Sequence, residues 1–254
     1  MRGVVTALVL AACGGKPPPP PPSPEPPPAQ HTTRVPVDDS EPEEGVTVVN
    51  ARGHMDPEAV EAGLAPHNEE LSRCYMSRVG KRRWLGGHVV LHWDIKADGT
   101  ISSVKLSESD LGAWEVEKCL LDVARSATFA KPIGGDADFT LPLDFSAKGG
   151  TQIWDEDKAL RAVGGQLANL DACGEAKPRH PARKPGPRPE HPPSNVTVTV
   201  YVGPYGKAQS VGFSSATSEI GETWAECAGK AAAAWRLPDP RGQIAKLAIR
   251  YRAE

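Results

Sequence analysis

The chain repeats itself. Residues 86–106, GGHVVLHWDIKADGTISSVKL, recur as residues 195–213, NVTVTVYVGPYGKAQSVGF. In the first copy Val89, Leu91, Trp93 and Ile95 alternate with polar or short residues, Asp98-Gly99 turns the chain, and Val104 and Leu106 continue the apolar face. That is a β-hairpin pattern. Adding 107 to each number reaches Val196, Val198, Val200, Val202, Gly206, Val211 and Phe213 without a gap. Upstream an offset of 99 maps Asp56 to Asp155, Leu71 to Leu170 and Cys74 to Cys173; downstream an offset of 106 maps Phe129 to Trp235, Pro132 to Pro238, Leu141 to Leu247, Leu143 to Ile249 and Phe145 to Tyr251. A repeat of this length implies two similar folding units.

Each copy carries the same order of signals. Asp56-Pro57 sets an N-cap before a proline at the first helical position, and Val60, Leu64, His67, Leu71 and Cys74 predict one helix over 57–79. The hairpin follows, then a helix through Trp114, Val116, Leu120, Val123 and Ala127, then an alternating strand through Phe139, Leu141, Leu143 and Phe145. In the second copy the helices fall at 155–173, with Gly164-Gly165 weakening the first, and at 224–235; the closing strand falls at 245–251. The expected fold is α+β: two tandem α-β-β-α-β modules over 45–149 and 150–254, each a three-stranded antiparallel sheet with two helices on one face. The rise in offset from 99 to 107 marks a basic, proline-rich insertion in the second module, at 175–194.

The prolines gather before residue 45 and again inside that insertion. Residues 16–28, KPPPPPPSPEPPP, cannot build a helix or a sheet ladder, because proline lacks the amide donor and fixes φ. Residues 13–44 are expected to be a disordered tether, of which 17–28 as polyproline II would reach roughly 37 Å. The leader MRGVVTALVLAAC resembles a bacterial lipoprotein signal over residues 1–12; the resemblance implies that Cys13 receives lipid and becomes the new N-terminus. Its apolar run is far shorter than the roughly 20 residues that span a bilayer. Gly14 and Gly15 follow, without the aspartate that marks inner-membrane retention in some bacteria, so an outer-membrane anchor facing the periplasm is expected.

Five cysteines leave no thiol over: Cys13 in the leader, Cys74 and Cys119 in the first copy, Cys173 and Cys227 in the second. An exported chain keeps such pairs oxidised. Four cysteines allow three connectivities, and the repeat favours pairing within each copy. A zinc site is the rival reading, but no close cysteine or histidine pairs supply four ligands.

Gly87, Val89, Leu91, Trp93, Ile95, Asp98-Gly99, Ile101, Val104 and Leu106, then Phe129 and Pro132, resemble the C-terminal domain of TonB. With Cys74-Tyr75 and Cys119, the closer likeness is to the TonB-like domain of the AgmX/PglI family of myxobacterial gliding-motility proteins. The second copy keeps the hairpin, the cysteines and Trp235-Arg236-Leu237-Pro238, but has Gly174 for the tyrosine and Tyr205 for the turn aspartate. The resemblance implies a non-enzymatic envelope module that contacts partner proteins by offering a strand at a sheet edge. Energy transduction is not carried over, because the leader is no membrane-spanning helix.

Catalytic and metal patterns do not survive inspection. Ser102-Ser103-Val104-Lys105 matches S-x-x-K, but on a strand positions three apart face opposite ways. The loop beginning at Asp94 has Lys96 and Lys105 where calcium ligands belong. His88 and His92 share a strand face with Asp94, where a solvated surface is expected rather than a metal. No cofactor fingerprint occurs. A net charge of -3 argues against nucleic acid, since only the insertion clusters basic residues. Lys177, Arg179, Arg183, Lys184 and Arg188 there form a candidate anion-binding loop, which gives an alternative function: a surface lipoprotein holding an anionic ligand, lipid or cell-wall polymer.

Overall fold

The computed structural model describes residues 52–174 and 193–252. Asp56 caps the first helix, its carboxylate accepting from the Glu58 amide at 3.0 Å, and α1 runs Pro57–Leu64. The single helix expected over 57–79 is corrected here: Pro66 forces a 3-10 turn, Ala65–His67, before α2 resumes as Asn68–Val79. Proline removes the amide that would continue the ladder and crowds the turn before it.

Three strands follow the repeat signal: β1 (Gly87–Ile95), β2 (Ile101–Ser109) and β3 (Ala137–Phe145), in the order β2-β1-β3, all antiparallel. Val89, Leu91, Trp93 and Ile95 are buried on one face, under α2 and α3 (Trp114–Ser126). The Trp93 ring stacks on Phe139 with centroids 4.9 Å apart, and its N–H donates to Ala124 O at 3.0 Å. Cys74 on α2 and Cys119 on α3 form a disulfide with Cα atoms 5.6 Å apart. The bridge spans 45 residues, for which chain entropy gives about 4 kcal/mol as an upper figure.

The second half differs from the expected three antiparallel strands. Its sheet has four, in the order β4-β7-β5-β6, and is mixed. The extra strand is β4 (Gln152–Ile153), part of the joint between the copies, lying parallel to β7 (Ala245–Tyr251). Gln152 N donates to Ile244 O and Trp154 N to Lys246 O, each at 2.9 Å. β5 (Val196–Val202) and β6 (Ala208–Ser214) are the repeated hairpin. Asp155 caps α4 (Glu156–Val163), accepting from Lys158 N at 2.7 Å. Gly164, at φ 53, then leaves the helical region, so the expected helix over 155–173 becomes α4 followed by a 3-10 stretch, Gly164–Cys173. That stretch is tied to α5 (Glu222–Ala233) by the Cys173–Cys227 disulfide.

The described residues of the two copies form one compact unit. The face of the second sheet away from its helices carries Thr199, Tyr201, Ser210, Gly212, Ser214 and Lys246, and the first half covers it. Tyr201 O–H donates to Gly86 O at 2.6 Å, and Ser210 O–H to Gly112 O at 2.7 Å. Lys246 Nζ lies 2.9 Å from Asp110 Oδ2 and also donates to Gly86 O. Tyr201 is packed within the core of the first half, beside Trp84.

Candidate functional site

A three-stranded sheet ordered β2-β1-β3 has two edges, and the second half closes one of them. Ser215 N donates to Leu106 O at 2.8 Å, and Val104 N donates to the Glu219 carboxylate at 3.0 Å, so the middle of the outer side of β2 is occupied. Arg125 and Lys118 on α3 pair with Glu219 and Glu222 to hold that segment. Along β3 itself, among the described residues, no strand pairs on the side away from β1. Pro142 fits this edge position, because a proline in a sheet is tolerated where its missing N–H would have faced outward. By alternation, Asp138, Thr140 and Asp144 also present their backbone groups outward.

A groove accompanies the open edge. Toward the C-terminal end of β3 it measures about 460 Å³ and lies between α2, through Leu71, Tyr75, Met76 and Val79, and β3, through Leu143 and Phe145. Met76 stands at 62% exposure, unusual for so large an apolar side chain. Toward the N-terminal end a second hollow of about 600 Å³ is lined by Val60 and Leu64 of α1 and by Phe139 and Leu141. Asn68 borders both, so the two hollows follow β3 nearly end to end. Tyr75 forms the floor: its ring stacks on Phe145 at 4.8 Å and its hydroxyl donates to Leu85 O at 2.8 Å. Burial pushes that phenol's pKa up, so it stays a neutral donor.

The equivalent edge in the second half is partly covered, by β4 at its start. In register the closing strands match at an offset of 108 rather than the 106 expected from sequence, and Leu247, Ile249 and Tyr251 are buried where their counterparts Phe139, Leu141 and Leu143 are half-buried. β4 pairs with the first two residues of β7, and the Tyr251 hydroxyl donates to Asp171 at 2.6 Å. The departures that the sequence shows in the second copy therefore coincide with the loss of the groove.

Elsewhere, Glu117 of α3 is a fully buried carboxylate at the seam between the halves. It accepts from Ser109 O–H at 2.7 Å, Phe213 N at 2.9 Å and Gly112 N at 3.2 Å. Burial, opposed by those hydrogen bonds, pushes its pKa up to about 7. Sequence reading missed it, although Glu117 stands four residues before Leu121 and seven before Ala124, on the apolar stripe of the helix.

The other residues singled out from sequence separate cleanly. Cys74 and Cys119 meet, as do Cys173 and Cys227. Ser102 and Lys105 lie on β2 and are not brought together for chemistry; Ser102 O–H bonds Asp94 O and Lys105 pairs with Asp94 at 3.5 Å. His88 bonds Asp144 and His92 bonds Asp94, and among the described residues no group of three or more His, Cys, Asp or Glu side chains is placed to hold a metal. Cys13 with its tether, and Lys177, Arg179, Arg183, Lys184 and Arg188, lie outside the described residues. Among those described, no helix is long and apolar enough to cross a membrane. No protein-family model, curated protein or solved structure matches the chain.

Proposed function

We propose that this chain is a binding component of a bacterial envelope complex, without catalytic activity, which captures an extended segment of a partner protein on the open edge of β3. One observation carries the reading: β3 is a nine-residue edge strand, unpaired on its outer side among the described residues and flanked along its length by an apolar groove. Strand addition draws affinity from main-chain hydrogen bonds and specificity from alternate side chains entering such a groove. The sequence resemblance to TonB-like domains supports the same mode, and the two disulfides suit an oxidising compartment. Lipidation at Cys13 would tether the binding half to the outer membrane, with the proline-rich stretch as spacer. The second half serves as a scaffold that covers the β2 edge and directs partners to β3.

Chemical crosslinking of the tagged full chain in its host, followed by mass spectrometry, tests this. Thr140→Pro removes an outward amide without touching the β1 ladder, so it is expected to abolish partner capture while the thermal unfolding midpoint stays within a few degrees. Undiminished capture by a folded Thr140→Pro protein would overturn strand addition at β3.

A further inference from the structure

Charge gives the groove a direction. Arg83 and Lys148 both line its C-terminal end, and their backbones are locked together where Lys148 N donates to Arg83 O at 2.8 Å. Both side chains are exposed, and among the described residues neither is in an ion pair. The carboxylate in the same lining, Asp144, is engaged by His88 Nδ1 at 2.8 Å. The opposite end of the groove carries acidic groups instead, Glu61 and Asp138, the latter paired with Arg52 at 2.8 Å. An anion therefore meets two cations, Arg83 and Lys148, against the single His88-bonded carboxylate of Asp144 at one end, and only Glu61 and the Arg52-paired Asp138 at the other.

The second half supplies an independent clue to orientation. Its sister edge already holds an extended segment, β4, with Gln152 opposite Ala245 and Ile153 opposite Lys246, and that segment runs parallel to β7. In register, Ala245 and Lys246 pair with Val202 and Tyr201 as Ala137 and Asp138 pair with Ile95 and Asp94, so those two positions correspond to Ala137 and Asp138 at the start of β3. A strand added in the same sense would have its C-terminal end beside Arg83 and Lys148.

Resting on the strand-addition reading, the geometry points to a partner segment that runs parallel to β3, places alternate apolar side chains in the groove, and carries carboxylates at its C-terminal end between Arg83 and Lys148. The source is a peptide segment of a protein, because the open main-chain edge rewards a backbone and gives a lipid nothing to bond.

The test uses the full chain and three fluorescein-labelled peptides of alternating threonine and valine, eight residues long. One has two aspartates at its C-terminal end, one has them at its N-terminal end, and one has two lysines at its C-terminal end. Fluorescence anisotropy is expected to show the first binding at least about fivefold more tightly than the others, the scale of two exposed ion pairs. That preference is expected to vanish in the R83Q/K148Q protein and to shrink with added salt. Equal binding of all three overturns the anion seat while leaving the groove, and preference for the N-terminal aspartates overturns the parallel orientation. Failure of all three to bind at millimolar concentration would instead overturn strand addition itself.

Discussion

The carboxylate of Glu117 accepts the backbone N–H of Phe213 at 2.9 Å, joining a helix of the first repeat to a strand of the second inside a fully buried seam. Its repeat counterpart by alignment of the cysteines is Ala225, the fourth residue of α5, and the counterpart of Gly212 is Lys105. The seam therefore forms in one direction only. The outer face of the first sheet instead carries Lys105, His92 and Asp94, joined by an ion pair and a hydrogen bond, where the second sheet has Gly212 and Thr199.

Burial of Glu117 makes the seam sensitive to pH. An ordinary glutamate has its pKa at 4.5, whereas here it is pushed up to about 7, first by loss of solvent and against the bonds from Ser109, Phe213 and Gly112. The folded chain thus holds a proton that the unfolded chain releases. The stability this group contributes is complete below pH 4.5 and drains away as pH rises through 7, by up to about 3 kcal/mol. Lys246 and Asp110 also lie 2.9 Å apart across the seam, and Tyr201 there has its pKa raised by burial to about 12. Urea midpoints should fall between pH 5 and pH 8 in the natural protein, and Glu117→Gln should flatten that slope. A slope that persists unchanged in Glu117→Gln would place the titration elsewhere.

Gly212 sets the closeness of the same seam. A Cβ at this position would overlap the Glu117 carboxylate and Ala113 N. Gly212→Ala should cost about 1–3 kcal/mol, the usual penalty of overpacking, and expose the seam to hydrogen exchange at residues 109–117. Gly150→Ala is the control, since nothing lies within 4 Å of its added methyl. Equal stability of the two variants would show that the halves can separate without loss.

What the sequence made legible was local. Alternation placed β1, β2, β5 and β6, the Asp56 cap fell where expected, and the cysteines paired within each copy. Pro66 was in plain view, yet the apolar spacing ran through it, and periodicity alone cannot say that a helix restarts after a turn. β4 escaped because two residues carry no period. The groove was harder still. Leu143 and Ile249 read alike, and only the packing of α2 against β3, compared with α4 against β7, shows one half-open and the other sealed. Arg83 belongs to a basic run, Lys81-Arg82-Arg83, whose members part in space: Arg82 pairs with Glu115, while Arg83 faces the groove.

The turn between β5 and β6 shows a local cost that the first repeat avoids. Tyr205 sits at φ 61 with 85% of its surface exposed, in the left-handed region that disfavours any residue with a Cβ. The backbone is steadied by Asp239, whose carboxylate accepts from Tyr205 N at 3.1 Å. At the corresponding position of the β1–β2 turn stands Asp98, which accepts from Thr100 N at 2.9 Å, and there the positive φ is left to Gly99. Asparagine enters this region with less strain, so Tyr205→Asn should stabilise the chain by about 0.5–1 kcal/mol, read as a higher urea midpoint. Asp239→Ala should do the opposite, because it frees the amide that holds the turn. A Tyr205→Asn protein no more stable than the natural one would mean that the exposed ring contributes packing that offsets its backbone strain.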